Sequence, residues 1–300
     1  MYKLTSKDRS LLLQIAEYRI LLIDQIAMLN NIGKRAVQKK VNTIYKNGIL
    51  NFSPRNFGIN RGRPENICSL SKRGVQLLQG ENIIPLNIHF QRITIEGLYN
   101  IEHELLVNWF QIYLDQILQK TSNFKIKFLS PNTPFLPLKK SGMPAISDNI
   151  RSNSKNIEFI PDGVFSIASK KQNKSLLFFL EVDMGTESVI SSRSIVETIS
   201  QKIFNYKAYH LSRKYERYEK IFGYSFNGFR VLFLTNNASR RSTLSRFIFA
   251  DKTNDFIWIT DQEKMFQHGI GSNIWTRGGD ISSSPESILG RTFAIDLAAS

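Results

Sequence analysis

Apolar residues in the first fifty positions recur with helical periodicity in three successive segments. The segment 7–18 can be capped by Thr5 or Ser6, and its apolar residues share one helix face: Leu11, Leu12, Ile15 and Ala16. A second helix is predicted over 22–29. Residues 30–33, Asn-Asn-Ile-Gly, tolerate a positive φ and predict a tight turn before a third helix begins at residue 34. This spacing is typical of a helix-turn-helix.

The third helix has one apolar and one polar face. Val37, Val41 and Ile44 lie at positions i, i+4 and i+7, so they are predicted to face the core. The outward-facing side chains suit phosphates and base edges, and we predict that they contact DNA: Lys34, Arg35, Gln38, Lys39 and Asn42.

Two β-prone runs, 49–53 and 66–70, follow this helix and are separated by a segment rich in Gly and Pro. The segment predicts a wing whose arginines enter a minor groove or follow the DNA backbone: Arg55, Arg61 and Arg63. Together these elements predict a winged helix-turn-helix. The alternative is a scaffold of the same kind that only contacts protein and whose charges form a solvated face.

The rest of the chain alternates between helical and strand patterns. Pro85 breaks the regularity near residue 90, which predicts domains of 1–90 and 91–300. Helices are predicted over 101–120, after Gly185 and over 239–247; strands over 124–128, 157–167, 176–183, 229–235 and 256–260; and a loop over 130–156. This order predicts an α/β or α+β domain around a central mixed sheet. Residues 261–300 are expected to form a loop-rich tail, to which no role is assigned.

Charge and cysteine content narrow the class of partner and the compartment. The net charge is +15, and residues 1–100 hold 15 basic against 6 acidic residues, which favours a polyanion bound mainly by the N-terminal third. A single cysteine, Cys68, fits a reducing interior. No signal-peptide arrangement or membrane-spanning apolar run is apparent, so a cytoplasmic location without membrane contact is expected.

Acidic residues gather around the predicted strand 176–183. Glu181 and Asp183 are two apart and share a face at the end of an apolar strand, and Asp162 lies on the neighbouring strand. Clustered, poorly solvated acids are commonly balanced by a divalent cation, which predicts three carboxylate ligands for Mg2+ or Mn2+. On the following helix, Lys202 lies one turn from Tyr206 and can stabilise negative charge on a phosphate. Tyr206 is expected to pack or to orient Lys202 rather than to attack phosphorus. The alternative is an Asp turn with Asp183 as a helix cap.

The set Pro161-Asp162, Glu181 and Lys202 resembles the PD-(D/E)XK nuclease superfamily. The chain also has a predicted winged helix, His103 and the phrases EVDMGTES and KIFNY. Together with that set, these features make the chain over about 6–260 resemble the replication-relaxation family, which includes mobilisation relaxases. The resemblance implies that Asp162 and Glu181 hold Mg2+ or Mn2+ and that the lysine assists attack on a phosphodiester. It also makes His103 a candidate site residue. Asp183 stands where the superfamily pattern usually has lysine.

We therefore expect a site-specific, metal-dependent DNA endonuclease that nicks duplex DNA, such as an origin of transfer, during plasmid or mobile-element mobilisation and conjugation. A homodimer and mobilisation accessory proteins are the further partners expected. One alternative is a non-catalytic DNA-binding regulator or accessory protein with a degenerate nuclease fold, which Asp183 motivates. Another is a nuclease that acts on invading DNA.

Overall fold

The structure is a computed structural model that describes residues 3–54, 66–120, 123–131, 133, 146–152, 155–170, 174–187, 189 and 198–290. The predicted wing-tip residues Arg55, Arg61 and Arg63 lie outside the described residues. The chain divides into two compact units, Met1–Ile112 with Asn132–Leu138, and Tyr113–Pro131 with Lys139–Ser300. No helix in the described parts of either unit is long and apolar enough to cross a membrane.

The N-terminal unit combines helices with a small antiparallel sheet of order β1-β3-β2. Its elements are α1 (Ser6–Tyr18), β1 (Ile20–Leu22), α2 (Ile23–Asn30), α3 (Lys34–Lys46), β2 (Leu50–Pro54), β3 (Asn66–Leu70), α4 (Lys72–Gly80), two 3-10 turns (Phe90–Arg92 and Ile95–Gly97) and the first part of α5 (Ile101–Lys120). The predicted elements are found within a few residues of their expected bounds. The three-residue strand β1, which pairs with β3, was not predicted.

Local sequence explains how these helices begin and end. Thr5 caps α1 through a reciprocal capping box with Asp8. Asn31 adopts the left-handed conformation, φ 50°, and ends α2 as the sequence predicted. Gly74 is required because a Cβ there would come 2.2 Å from the carbonyl oxygen of Ile49.

The N-terminal unit continues past the boundary that the sequence placed near residue 90. Nε2 of Gln25, on α2, donates to the carbonyl oxygen of Leu105 at 3.0 Å. Nδ2 of Asn108 donates to the carbonyl oxygens of Tyr18 at 3.2 Å and Ile20 at 2.8 Å. Because these buried bonds join α5 to α1, β1 and α2, the first part of α5 belongs to this unit.

The C-terminal unit contains a mixed sheet of order β11-β10-β9-β8-β7-β4. Its described elements are β4 (Phe124–Leu129), β5 (Asp148–Ser152), β6 (Lys155–Phe159), β7 (Gly163–Ser169), β8 (Lys174–Asp183), α6 (Ile199–Leu211), a 3-10 turn (Lys214–Glu216), α7 (Arg217–Phe222), β9 (Phe229–Thr235), α8 (Ala238–Phe249), a 3-10 turn (Lys252–Asn254), β10 (Ile257–Asp261), α9 (Gln262–His268) and β11 (Thr276–Arg277). The expected α/β class with a central mixed sheet is confirmed. The finer assignments to a winged helix-turn-helix and a PD-(D/E)XK fold stay predictions.

Strand β8 lies at the change of direction in this sheet. It pairs antiparallel with β7 and parallel with β9. Its last seven residues are buried, which agrees with its nearly unbroken apolar sequence. At the carboxyl end of β8, Glu181 and Asp183 pair with β9 and lie beyond the ladder with β7, which begins at Gly163 opposite Leu180.

Three predictions about the C-terminal unit need correction. The predicted loop 130–156 includes β5 and the start of β6, which form a separate two-stranded hairpin rather than extending β7. The helix expected after Gly185 is α6, which begins at Ile199, where Thr198 caps it. Residues 261–290 are not only loop, because α9 follows β10 and β11 pairs with β10.

Candidate functional site

The first component of the site is Asp162, which lies just before β7. Its Oδ2 accepts a hydrogen bond from the main-chain N–H of Val182 at 2.7 Å. Gly163 pairs with Leu180 across the β7–β8 ladder, so the turn into β7 brings Asp162 beside the end of β8. The carboxylate of Asp162 and that of Glu181 consequently lie close enough to influence one another.

Glu181 is buried and both of its carboxylate oxygens are engaged by α6. Lys202 Nζ donates to Oε2 at 3.1 Å, and the Tyr206 hydroxyl donates to Oε1 at 2.5 Å. Lys202 and Tyr206 are four residues apart, so one face of α6 presents both donors. The sequence predicted the approach of Lys202, whereas Tyr206 was expected to pack or to orient the lysine and instead bonds Glu181 directly.

The charges of this cluster are strongly coupled. Burial, assisted by the nearby charge of Asp162, raises the pKa of Glu181 to about 7 against the opposing effects of Lys202 and Tyr206. Burial alone would lower the pKa of Lys202, but the carboxylates of Glu181, Asp162 and Glu187 raise it above its usual value. Lys202 therefore remains a cation at neutral pH.

We expect the pH dependence of stability to reveal Glu181. The pKa of this carboxyl rises from 4.5 to about 7 on folding, so the native state binds the extra proton between these values. Stability should consequently fall by about 3 kcal/mol as the pH rises through this window, relative to Glu181→Gln. Urea unfolding of both proteins in EDTA from pH 4.5 to 8 measures the difference. Parallel curves for the two proteins would contradict the shift.

Asp183 shares a face with Glu181 but engages a different helix. Its Oδ2 lies 2.6 Å from Nε of Arg240 on α8, and its Oδ1 accepts from Nη2 of Arg240 at 3.3 Å and from the N–H of Gly185 at 2.8 Å. The bond to Gly185 is the Asp turn that the sequence left open as the alternative. Asp183 is thus balanced by arginine in this structure.

Glu187 and Arg240 connect the two carboxylates, and sequence reasoning did not single out either residue. Glu187 Oε1 accepts from Lys202 Nζ at 2.9 Å, while its carbonyl oxygen accepts from Arg240 Nη2 at 2.5 Å. Glu187 is the second glutamate of the EVDMGTES phrase, so the sequence contained a signal that could have identified it. Arg240 could not be found this way because it lies 57 residues beyond Asp183.

His103 lies in the first turn of α5, within the N-terminal unit. Its main-chain N–H bonds Oδ1 of Asn100 at 3.1 Å. The neighbouring Glu104 is buried, and its charge acts on Arg19 in the same unit. A catalytic role for His103 stays a prediction.

Asp162 and Glu181 are the carboxylates of this cluster that could hold a divalent cation. The described residues contain no group of three or more His, Cys, Asp or Glu side chains that could hold a metal ion. Asp162 and Glu181 nevertheless fit Mg2+, which is commonly bound through one or two carboxylates, several waters and substrate phosphates. A cavity of about 50 Å³ adjoins Glu181, Lys202 and Asn205, and the buried Nδ2 of Asn205 has no hydrogen-bond partner in the described structure. The space can hold one water or one small ion.

The predicted DNA-contacting face of α3 is solvent-exposed. Arg35, Gln38, Lys39 and Asn42 are exposed, whereas Val37, Val41 and Ile44 are buried, as the periodicity predicted. Lys34 is also exposed, and its Nζ pairs with Oδ1 of Asp24 at 2.5 Å. Lys40 pairs with the buried carboxylate of Asp8 on α1, so its side chain is directed toward α1.

The comparison with known families gives one result that covers most of the chain. A family model described as replication-relaxation matches residues 12–224, which include α3 and all of Asp162, Glu181, Lys202 and Tyr206. No curated protein and no solved structure matches the chain.

Proposed function

Because the chain belongs to the replication-relaxation family, we propose that it is a DNA endonuclease that nicks plasmid or mobile-element DNA with Asp162, Glu181 and Lys202. Family membership indicates a role in the replication or mobilisation of such elements. The observation that carries the chemical proposal is the bond of Lys202 to Glu181, with Asp162 beside them. A buried cation and two carboxylates at the end of a rigid strand suit phosphodiester hydrolysis.

The proposed mechanism assigns a separate task to each side chain. Asp162 and Glu181 would hold Mg2+ or Mn2+, and a bound divalent cation supplies Lewis acidity that activates water at neutral pH. Lys202 offers a permanent positive charge to the oxygens of the phosphate as negative charge develops there. Tyr206 fixes the rotamer of Glu181, and Asn205 can donate to a water in the adjoining cavity.

We assign recognition of the DNA to the N-terminal unit. The exposed side chains of α3 suit phosphates and base edges, and the order of helices and strands around it supports a winged helix-turn-helix. The partner in this proposal is double-stranded DNA.

Arg35→Ala should weaken DNA binding and make it less sensitive to salt. Loss of one phosphate contact is expected to reduce the slope of log affinity against log salt concentration by about one unit. Binding of duplex DNA from the gene's native flanking region, followed by fluorescence anisotropy at several salt concentrations, measures the slope. Lys220→Ala is the matched control, because it removes one exposed charge from the C-terminal unit. Equal slopes for Arg35→Ala and wild type would remove α3 from the proposed interface.

The test of the chemistry is conversion of a supercoiled plasmid carrying that flanking DNA to the open-circular form. We expect conversion with Mg2+ or Mn2+ and none in EDTA. A second candidate, a DNA-binding accessory protein without nuclease activity, is favoured by the pairing of Asp183 with Arg240 at the position where the superfamily has lysine. Tight, specific binding without cleavage in any divalent metal would select this second function.

A further inference from the structure

A second cleft lies in the C-terminal unit, at the opposite end of β8 from Glu181. It has a volume of about 600 Å³ and is lined at the start of β8 by Lys174 and Leu176, and at the start of β9 by Phe229 and Arg230. From Ser175 to Glu181 the strand rises about 20 Å, so the cleft is separate from the acidic site. Its volume is in the range of small-ligand sites.

The lysine and the two arginines that line the cleft differ in whether a carboxylate pairs with them. Arg277 is committed to Asp255 through two bonds, Nε to Oδ1 at 2.7 Å and Nη2 to Oδ2 at 2.5 Å. Among the described residues, neither Arg230 nor Lys174 has a carboxylate oxygen within 4.0 Å. Two positive charges of the lining are therefore available to an anion.

Arg230 is held in place without being neutralised. Its guanidinium lies 4.7 Å from the ring centroid of Trp258, an arrangement that fixes the group on an aromatic face. Burial lowers the pKa of Arg230 and repulsion by Arg277 lowers it further, which outweighs the opposing attraction of Glu286 and Asp255. An anion in the cleft would offset both effects, and a planar guanidinium binds phosphate oxygens in pairs.

Aromatic groups complete the lining. His210, the last basic residue of α6, packs on Tyr215 with ring centroids 5.8 Å apart and on Phe229 at 5.4 Å. A Cβ at Gly228 would approach Nε2 of His210 to 3.3 Å, so glycine leaves that edge of the imidazole uncrowded. Phe229 is buried beneath His210, so the imidazole is the ring that a ligand can reach. An exposed ring beside cations without a carboxylate partner suits a ligand that has a phosphate and a flat base.

We propose that this cleft binds the phosphate of a nucleotide, with Arg230 and Lys174 as phosphate ligands and the exposed imidazole of His210 beside the base. The choice of a nucleotide as the phosphate carrier rests on the proposed function, whereas the phosphate site rests on the cleft itself. A free mononucleotide and the 5′-phosphorylated end of a strand offer the same chemistry.

Calorimetric titration of the full chain in EDTA tests the proposal with deoxythymidine 5′-monophosphate, deoxythymidine and inorganic phosphate. We expect the monophosphate to bind at least about tenfold more tightly than deoxythymidine, because a charge-assisted bond to phosphate is lost with the latter. Arg230→Gln and Lys174→Gln should each weaken binding of the monophosphate, and the arginine substitution should weaken it by about tenfold or more. Arg246→Gln, an exposed arginine of α8 outside the cleft, should bind like wild type.

Equal binding of monophosphate and nucleoside, or equal monophosphate binding by Arg230→Gln and Arg246→Gln, would overturn the proposal. Inorganic phosphate that binds as tightly as the monophosphate would overturn the nucleotide assignment. Between the two sources, tighter binding of 5′-phosphorylated d(TpT) than of the monophosphate identifies a strand end, and equal binding identifies a free nucleotide. Plasmid nicking is measured separately, so its failure in wild type would leave the titration result intact.

Discussion

Lys202→Met is expected to lower plasmid nicking at least about 100-fold, because removal of one charged group that stabilises the transition state commonly costs this much. Methionine keeps the unbranched apolar stem but removes the ammonium that bonds Glu181 and Glu187. The fraction of open-circular plasmid formed in Mn2+ over time measures the effect. Binding of the same DNA should stay within about twofold, since the recognition face lies in the other unit.

Lys207→Met is the matched control for this experiment. Lys207 lies on the same helix, and its ammonium pairs with the exposed carboxylate of Asp251 at 2.6 Å. Loss of the positive charge of Lys207 from α6 should leave plasmid nicking unchanged. Asp162→Asn should abolish nicking as Lys202→Met does. Full activity of Lys202→Met together with an inactive Asp162→Asn would exclude Lys202 from the chemistry. The proposal that the protein is a nuclease would then still stand.

Asp183→Ala is expected to destabilise the C-terminal unit by about 3–5 kcal/mol, because it leaves a largely buried guanidinium without its carboxylate. The side chains of Asp183 and Arg240 are only 2% and 15% exposed. Urea unfolding of the single variants and of Asp183→Ala/Arg240→Met measures the pair. The double variant should regain part of the stability, since no unpaired charge is then buried.

The same variant decides between two roles for Asp183. If arginine pairing is its role, the folded fraction of Asp183→Ala should nick plasmid within a few-fold of wild type. The sequence predicted instead that Asp183 is a metal ligand. Wild-type stability of Asp183→Ala together with lost metal-dependent nicking would support the ligand role and contradict the arginine pairing as a structural requirement.

The sequence predicted those features that depend on local periodicity. The helix over 101–120 and the strand over 66–70 have the predicted bounds, and the buried face of α3 follows from residues spaced at i, i+4 and i+7. The joint placement of Asp162, Glu181 and Lys202 also came from sequence, because two adjacent strands and the next helix were expected to meet there. Local pattern was sufficient for each of these.

Features that depend on distant pairing were not predicted. Alternation along β8 places Glu181 and Asp183 on one face, yet it cannot show that α6 engages the first and α8 the second. The strand β5 and the start of β6 were expected to be loop because polar residues dominate them, and their stability comes from mutual pairing. The short strand β1 exists because it adds to β3, which is far away in sequence.

Helix α6 makes the acidic site and the cationic cleft mechanically dependent on one another. Lys202 and His210 are eight residues apart on a continuous helix, about 12 Å along its axis. A rigid-body displacement of α6 that releases Glu181 from Lys202 and Tyr206 would therefore carry His210 with it. The imidazole resonances of His210, an exposed member of only four histidines in the chain, are consequently a remote spectroscopic probe of events at Glu181.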